Sequence, residues 1–220
     1  MGNLSEFLME ELNVATAFTI PIFGGIEVAE STVISWVIMA IIVILTLVLT
    51  RNMRVEKPGK LQVGVEYAVT ALQNLVRGII GHEGERYVPY LSTVLVFLGI
   101  SNIFAIFGMK PPTKDLNVTA ALALMSIILV QAASIRQNKV GGWLKGFTKP
   151  SKVITPLNVM ELAIRPLSLC MRLFGNVMGA FVVMKLLEHL VPVILPAVFS
   201  LYFDFFDGLL QAYVFVFLTG

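Results

Sequence analysis

Five stretches of this 220-residue chain are almost unbroken in apolar residues, and short polar segments separate them. They run Thr32–Thr50, Val88–Met109, Val118–Ile135, Pro156–Leu190 and Val193–Thr219. Each reaches or exceeds the length of helix, roughly 17–25 residues, that crosses a hydrocarbon core about 30 Å thick. Residues 61–81 follow another pattern. There Glu66, Gln73 and Arg77 interrupt the apolar positions every turn or two, as in an amphipathic helix lying at the membrane interface. The pattern predicts an all-α polytopic membrane protein, one transmembrane domain over residues 1–220. It has five membrane-crossing helices and one interfacial helix.

The last two stretches are too long for upright helices. Pro156–Leu190 has about 35 residues, or roughly 52 Å of helix at 1.5 Å per residue. Such a helix must tilt, kink or run partly outside the core. Its successor is overlong too, and Pro192 and Pro196 mark the bend between them. Residues 156–219 are expected to form a tilted antiparallel hairpin.

Composition narrows the class. Hydrophobic residues make up 57% of the chain and charged ones 14%, against about 25% charged in soluble domains. The net charge of +2 matters less than where the charges lie. Residues 1–30 hold five glutamates and no Lys or Arg, whereas Arg51, Arg54, Lys57 and Lys60 follow the first span. Arg136, Lys139, Lys145, Lys149 and Lys152 follow the third. The positive-inside rule puts both basic loops in the cytoplasm. The N-terminal segment, residues 1–30, and the "KPPTKDLN" loop then lie outside, and five crossings leave the C-terminus in the cytoplasm. Cys170 is the only cysteine, so no internal disulfide can form. No Cys/His cluster has metal-ligand spacing, and no GxxxxGK[ST] loop provides a nucleotide site. Nothing calls for a cofactor, a metal or nucleic acid.

Polar residues inside the last two spans carry the candidate chemistry. Glu161, Arg165, Ser168 and Arg172 are spaced by 4, 3 and 4 residues, which puts them on one helix face; Gly175, Asn176 and Gly179 continue it. Asp204, Asp207 and Gln211, spaced by 3 and 4, form a second stripe on the last helix. Some members have plainer readings: Glu161 and Arg165 as an i,i+4 ion pair, Ser168 bonding back to its own helix, and the glycines as a close-packing motif. Arg172 does not. It cannot shed its proton, and at the bilayer centre it costs about 2.5–3.5 kcal/mol even on lenient scales. It serves either as half of a salt bridge with Asp204 or Asp207, or as a fixed cation that makes a nearby carboxylate release its proton or bound cation. In the second case Ser168, Asn176, Asp204, Asp207 and Gln211 would give ions a wet route toward it.

"PLSLCMRLFGN", followed by "LLQAYVF" on the last helix and preceded by "PPTKDLNVTAALAL", closely resembles subunit a of the bacterial rotary F-type ATP synthases. The resemblance covers nearly the whole chain in order. It implies a stator ion-channel subunit of the membrane sector, located in the bacterial inner membrane. The hairpin would face a rotating ring of c subunits, with a b-subunit stalk as the other stator partner. Two half-channels would carry H+, or alternatively Na+, to and from the ring carboxylates. Arg172 matches the family's arginine between the half-channels, Gln211 the glutamine facing it, and Asn176 the motif's asparagine. Three positions depart from the pattern. Phe181 stands nine residues after the arginine, where a carboxylate is common. Asp204 stands seven before the glutamine, where histidine is common, and Ala105 replaces an acidic residue on the second span. Two readings compete with this one. A secondary transporter or channel with Arg172 binding an anion would often show repeated halves and broken helices, and the chain shows neither. A membrane assembly factor with a structural Arg–Asp pair would tolerate loss of Arg172.

Overall fold

A computed structural model describes residues 16–20, 26–51, 53–54, 58–104, 111–147, 155–190 and 198–219. The elements are a β-hairpin, β1 (Thr16–Ile20) and β2 (Ile26–Ala29), then helices α1 (Glu30–Thr50), α2 (Lys60–Ile80) and α3 (Val88–Ile103). After these come α4 (Leu116–Phe147), α5 (Thr155–Leu190) and α6 (Val198–Thr219). Two short 3-10 turns, His82–Tyr87 and Pro112–Lys114, lead into α3 and α4.

A short β-hairpin precedes the helices of this all-α bundle. β1 and β2 pair antiparallel, with Phe18 opposite Val28 and Ile20 opposite Ile26. The local signal is a pair of β-forming runs, "TAFTI" and "IEVA", flanking a segment with Pro21, Gly24 and Gly25. Glutamates at positions 27 and 30 drew attention to charge instead.

Among the described residues four helices are long and apolar enough to cross a membrane: Glu30–Thr50, Leu116–Arg136, Thr155–Glu188 and Val198–Thr219. The expected second span is described as α3, whose 16 residues measure about 24 Å; residues 105–110, including Ala105, lie outside the described residues. The prolines expected to bend the final hairpin, Pro192 and Pro196, also lie outside them.

Aliphatic packing joins the helices. Val94 and Leu98 of α3, Leu122 and Ala123 of α4, Leu169, Cys170 and Leu173 of α5, and Ala212 and Phe215 of α6 form one buried cluster. A second joins Val76 of α2 to Val88 and Leu91 of α3 and Val216 of α6. Thus α3 contributes to both clusters, behind the α5–α6 pair. α1 and α2 are mostly exposed along their lengths, with only Ser35 and Ile38, and Val76, buried in them. The exposed surface of α1 is almost wholly apolar and suits lipid, whereas that of α2 also carries Glu66 and Arg77 and suits an interface.

The start of α4 is set by Asp115. Its carbonyl accepts the first helical bond, from the Thr119 amide at 3.1 Å, and its carboxylate accepts the Asn117 amide at 2.9 Å. It is therefore the N-cap, with a negative charge at the positive end of the helix. Ser31 of α1 donates its hydroxyl to the same carboxylate, which ties α1 to this turn. Near its other end α4 changes direction at Lys139, where φ is 56°. The turn brings Trp143 back so that its indole N–H donates to Gln131 Oε1 at 2.9 Å. The sequence suggests a free interface anchor at Trp143, and the fold uses it as a brace.

Candidate functional site

α5 runs unbroken for 36 residues with Pro166 inside it. Proline has no amide hydrogen to donate to the preceding turn, so the Leu162 carbonyl lacks its helical partner within the first half of the polar stripe. The buried side of α5 begins at Leu169 and Cys170 and continues at Leu173. The Thr119 hydroxyl of α4 meets Cys170 Sγ there at 3.6 Å. The other side carries the stripe. Glu161, Arg165, Ser168, Arg172, Gly175 and Gly179 are all exposed, and Asn176 is half-buried. At Gly175 and Gly179 a methyl group would meet nothing within 4 Å. The glycines therefore pack no helix among the described residues.

Glu161 and Arg165 form the plainer of their two expected arrangements, an exposed ion pair with Nη2 to Oε1 at 2.8 Å and Nε to Oε1 at 3.1 Å. Arg172 differs. Among the described residues it takes part in no ion pair and no hydrogen bond. It lines a small open depression with Leu169, Leu173, Gln211, Phe215 and Leu218. Gln211 is buried, 8% exposed. The structure thus brings Arg172 of α5 and Gln211 of α6 to one place. Exposed apolar side chains flank it in sequence, Leu167 and Met171 on α5, and Leu218 of α6 lines the depression, while the exposed Ser168 stands one turn before Arg172.

The acidic stripe is altered by local geometry. Leu201–Asp207 is π-helical, and the α-helix resumes at Gly208. A π-helix turns less per residue than an α-helix, so the regular three- and four-residue spacing of a helix face does not carry across Leu201–Asp207. Asp207 is half-buried, while the Asp204 side chain lies outside the described residues. The π-to-α junction is held from behind. Asn102 of α3 donates from Nδ2 to the Gly208 carbonyl at 2.8 Å, and it accepts the Thr113 hydroxyl at Oδ1 at 3.1 Å. A methyl group at Gly208 would lie 2.7 Å from Asn102 Cβ, so only glycine permits this approach.

The family model for the ATP synthase A chain matches residues 32–220, which include both helices of the site, the Asp115 cap and the Asn102 bridge. The chain belongs to the ATP synthase A chain family. It is 37% identical over 197 residues to ATP synthase subunit a of Moorella thermoacetica, covering 89% of each chain. It is 34% identical over 193 residues to ATP synthase subunit a 1 of Hahella chejuensis, covering 87% of this chain and 81% of the other. It is also 31% identical over 211 residues to the sodium ion specific ATP synthase subunit a of Propionigenium modestum, covering 89% and 73%. These relatives are bacterial, and with the apolar helices they identify a multi-pass membrane protein of ATP synthesis and ion transport.

Sequence reasoning missed two members of the ATP synthase A chain's interior here. The "PPTKDLN" segment, expected as an external loop, is plugged into the bundle: Pro112, Thr113, Lys114 and Asp115 are all buried. Asn102 was overlooked because it lies in an apolar run with no polar partner at helical spacing. Among the described residues two further interior hydroxyls, Ser92 and Ser101, have no hydrogen-bond partner, and buried hydroxyls of this kind are ordinarily met by water. Among the described residues no three His, Cys, Asp or Glu side chains cluster as a metal site.

Proposed function

We propose that this chain is the stator ion-channel subunit of an F-type ATP synthase, with Arg172 as the fixed cation between two half-channels. The observation that carries the reading is an arginine exposed on the polar stripe of a membrane helix, with no ion pair among the described residues, beside the buried Gln211. In lipid such a guanidinium is expensive, which favours an anionic partner brought to this face from outside the chain. A ring of c subunits, each bringing a carboxylate past this face, provides one. The exposed glycines at 175 and 179 allow another helix to approach closely.

As a carboxylate nears Arg172 its charged form is favoured, and it gives up its proton or bound cation. Past the arginine it takes up another from the opposite route. The fixed charge also stops ions passing straight through, which would dissipate the gradient without turning the rotor. Asp204 and Asp207 belong to the outer route, and Ser168, Asn176 and the Glu161–Arg165 pair lie along the track on α5. The N-terminus is outside and the C-terminus in the cytoplasm, with residues 61–81 at the cytoplasmic interface and a b-subunit stalk as stator partner. H+ is the favoured ion, with Na+ as the alternative; one relative is named sodium ion specific.

The reading is tested with Arg172→Ala in the assembled complex. ATP synthesis and ATP-driven pumping are expected to fall to background while the subunit still inserts. Normal coupled pumping by that assembled variant would refute the reading.

A further inference from the structure

The Glu161–Arg165 pair stands on the same face of α5 as Arg172, and both its side chains are more than half exposed. Arg165 precedes Arg172 by seven residues and Glu161 precedes it by eleven, close to two and three turns of helix. The three lie nearly in line, with the pair roughly 10 and 16 Å from Arg172 along the axis. Arg165 turns both Nη2 and Nε onto one oxygen of Glu161, at 2.8 and 3.1 Å. Neither residue has another charged partner among the described residues.

The helices packed against α5 add no charge at this level. The contact of Thr119 with Cys170 sets the register of α4 on α5, and consecutive spans run antiparallel, so Glu161 stands level with about position 128. α4 has no charge from Leu116 to Ile135. Arg136 comes next, about 12 Å beyond that level, exposed and in no ion pair among the described residues. α6 runs from Gln211, which shares the depression with Arg172, to Thr219 without a charge. Behind it, α2 and the turn before α3 hold the Arg77–Glu85 pair and Arg86. The Pro112–Lys114 turn meets α5 at its other end, beside Phe181. This part of the track therefore carries one cation and one anion, whose charges sum to zero.

Resting on the reading above, we propose that Glu161 is a charge-matching residue of the inner half-channel: it cancels Arg165 and leaves Arg172 as the one effective cation that a ring carboxylate meets on α5. A carboxylate near an unmatched cation gives up its proton or bound cation. An unmatched Arg165 would start that release two turns before Arg172, and it would repel ions entering from the cytoplasm. An unmatched Glu161 would do the reverse and retain the incoming ion. At about 13 Å and an effective dielectric of about 40, between the protein value and that of water, one unmatched charge changes cation affinity about threefold. Arg172 has Ser168 where Arg165 has Glu161, so only the inner arginine is matched in this way.

The test uses the whole ATP synthase in proteoliposomes, with Arg172→Ala as the control. ATP-driven pumping is measured against proton concentration on the cytoplasmic side, and against Na+ there at fixed pH, with the outer side held constant. For the ion that drives the parent, Glu161→Gln is expected to raise the concentration for half-maximal pumping about threefold, or about half a pH unit for protons. Arg165→Gln is expected to lower it by a similar factor. Combining the two substitutions is expected to cancel the shifts, because the charges again sum to zero. A merely structural pair predicts otherwise, since each variant breaks the same hydrogen bonds and all would shift alike. The dependence of ATP synthesis on the outer ion is expected to move less than the cytoplasmic one. An unchanged cytoplasmic dependence in both single variants, shifts of the same sign, or equal shifts on the two sides would overturn the proposal. If one single variant fails to assemble, the sign of the other and its cancellation in the double variant decide. Failure of both single variants to assemble would assign the pair to folding and overturn the proposal as well. Normal coupling in Arg172→Ala would instead overturn the underlying reading.

Discussion

Arg172 and Arg165 are one motif apart in sequence and opposite in circumstance. Arg165 has Glu161 one turn away on its own helix, so its charge is matched locally. Arg172 has Ser168 at the same offset, which offers a dipole and no charge. Its requirement for an anion is thus not met from its own preceding turn. Lysine could satisfy a requirement for charge alone, but it sheds its proton when desolvated and lacks the planar fork. Arg172→Lys is therefore expected to abolish most coupled ATP synthesis in membrane vesicles. At Asp204 and Asp207 the expectation concerns water. With Cys170 replaced, cysteine at either position is expected to react with a membrane-impermeant thiol reagent added from outside. Protection from reagent on both sides would make them a buried structural pair.

At the scale of elements, the π-helical segment and the buried "PPTKDLN" turn are secured by the same few residues. Asn102 binds the Gly208 carbonyl and the Thr113 hydroxyl, so it links the bend in α6 to the turn before α4. Gly208→Ala places a methyl group against Asn102 Cβ. Overpacking of this kind costs about 1–3 kcal/mol, and the variant is expected to show a lower melting temperature of the detergent-solubilised subunit. Asp115→Ala removes an N-cap, which costs about 0.5–2 kcal/mol, and it leaves the Ser31 hydroxyl without its acceptor. Reduced assembly, measured as the amount of subunit retained in purified complex, is the expected outcome. Asp115→Asn retains the cap and is expected to assemble better.

For the whole molecule, the arrangement separates a scaffold from a track. α3 and α4 bury the inner sides of α5 and α6 and leave a long face of α5 open. A stator needs this: rigid support behind, and a surface in front along which a partner slides. Cysteine pairs joining position 172 or 176 to a helix of the c ring are expected to crosslink in assembled complex, with Cys170 replaced. Pairs from α1, which contributes to neither cluster, are not. The five crossings proposed above would place the termini on opposite sides, so on that reading a tag at the N-terminus is expected to be open to protease outside intact cells and a C-terminal tag protected.

Hydrophobic periodicity alone was enough to identify a helical membrane protein and to locate the long final helices. Lipid gives backbone polar groups no partners, so apolar runs of this length are forced into helices. Helical spacing also sufficed to find the two polar stripes, because offsets of three and four residues share a face whatever surrounds them. The ion pair of Glu161 with Arg165 is local in the same sense. Other features depend on contacts between segments far apart in the chain. The β-hairpin needs two strands in register. The shared depression of Arg172 and Gln211 needs α5 and α6 aligned in depth. Burial of Lys114 on Phe181 needs a turn that reads as a solvated loop to be pressed against a helix 67 positions later. Gly208 resembles any helix glycine until Asn102 comes to lie against it. Spacing determines which residues share a face of one helix; only packing decides which face meets another helix, and which is left open.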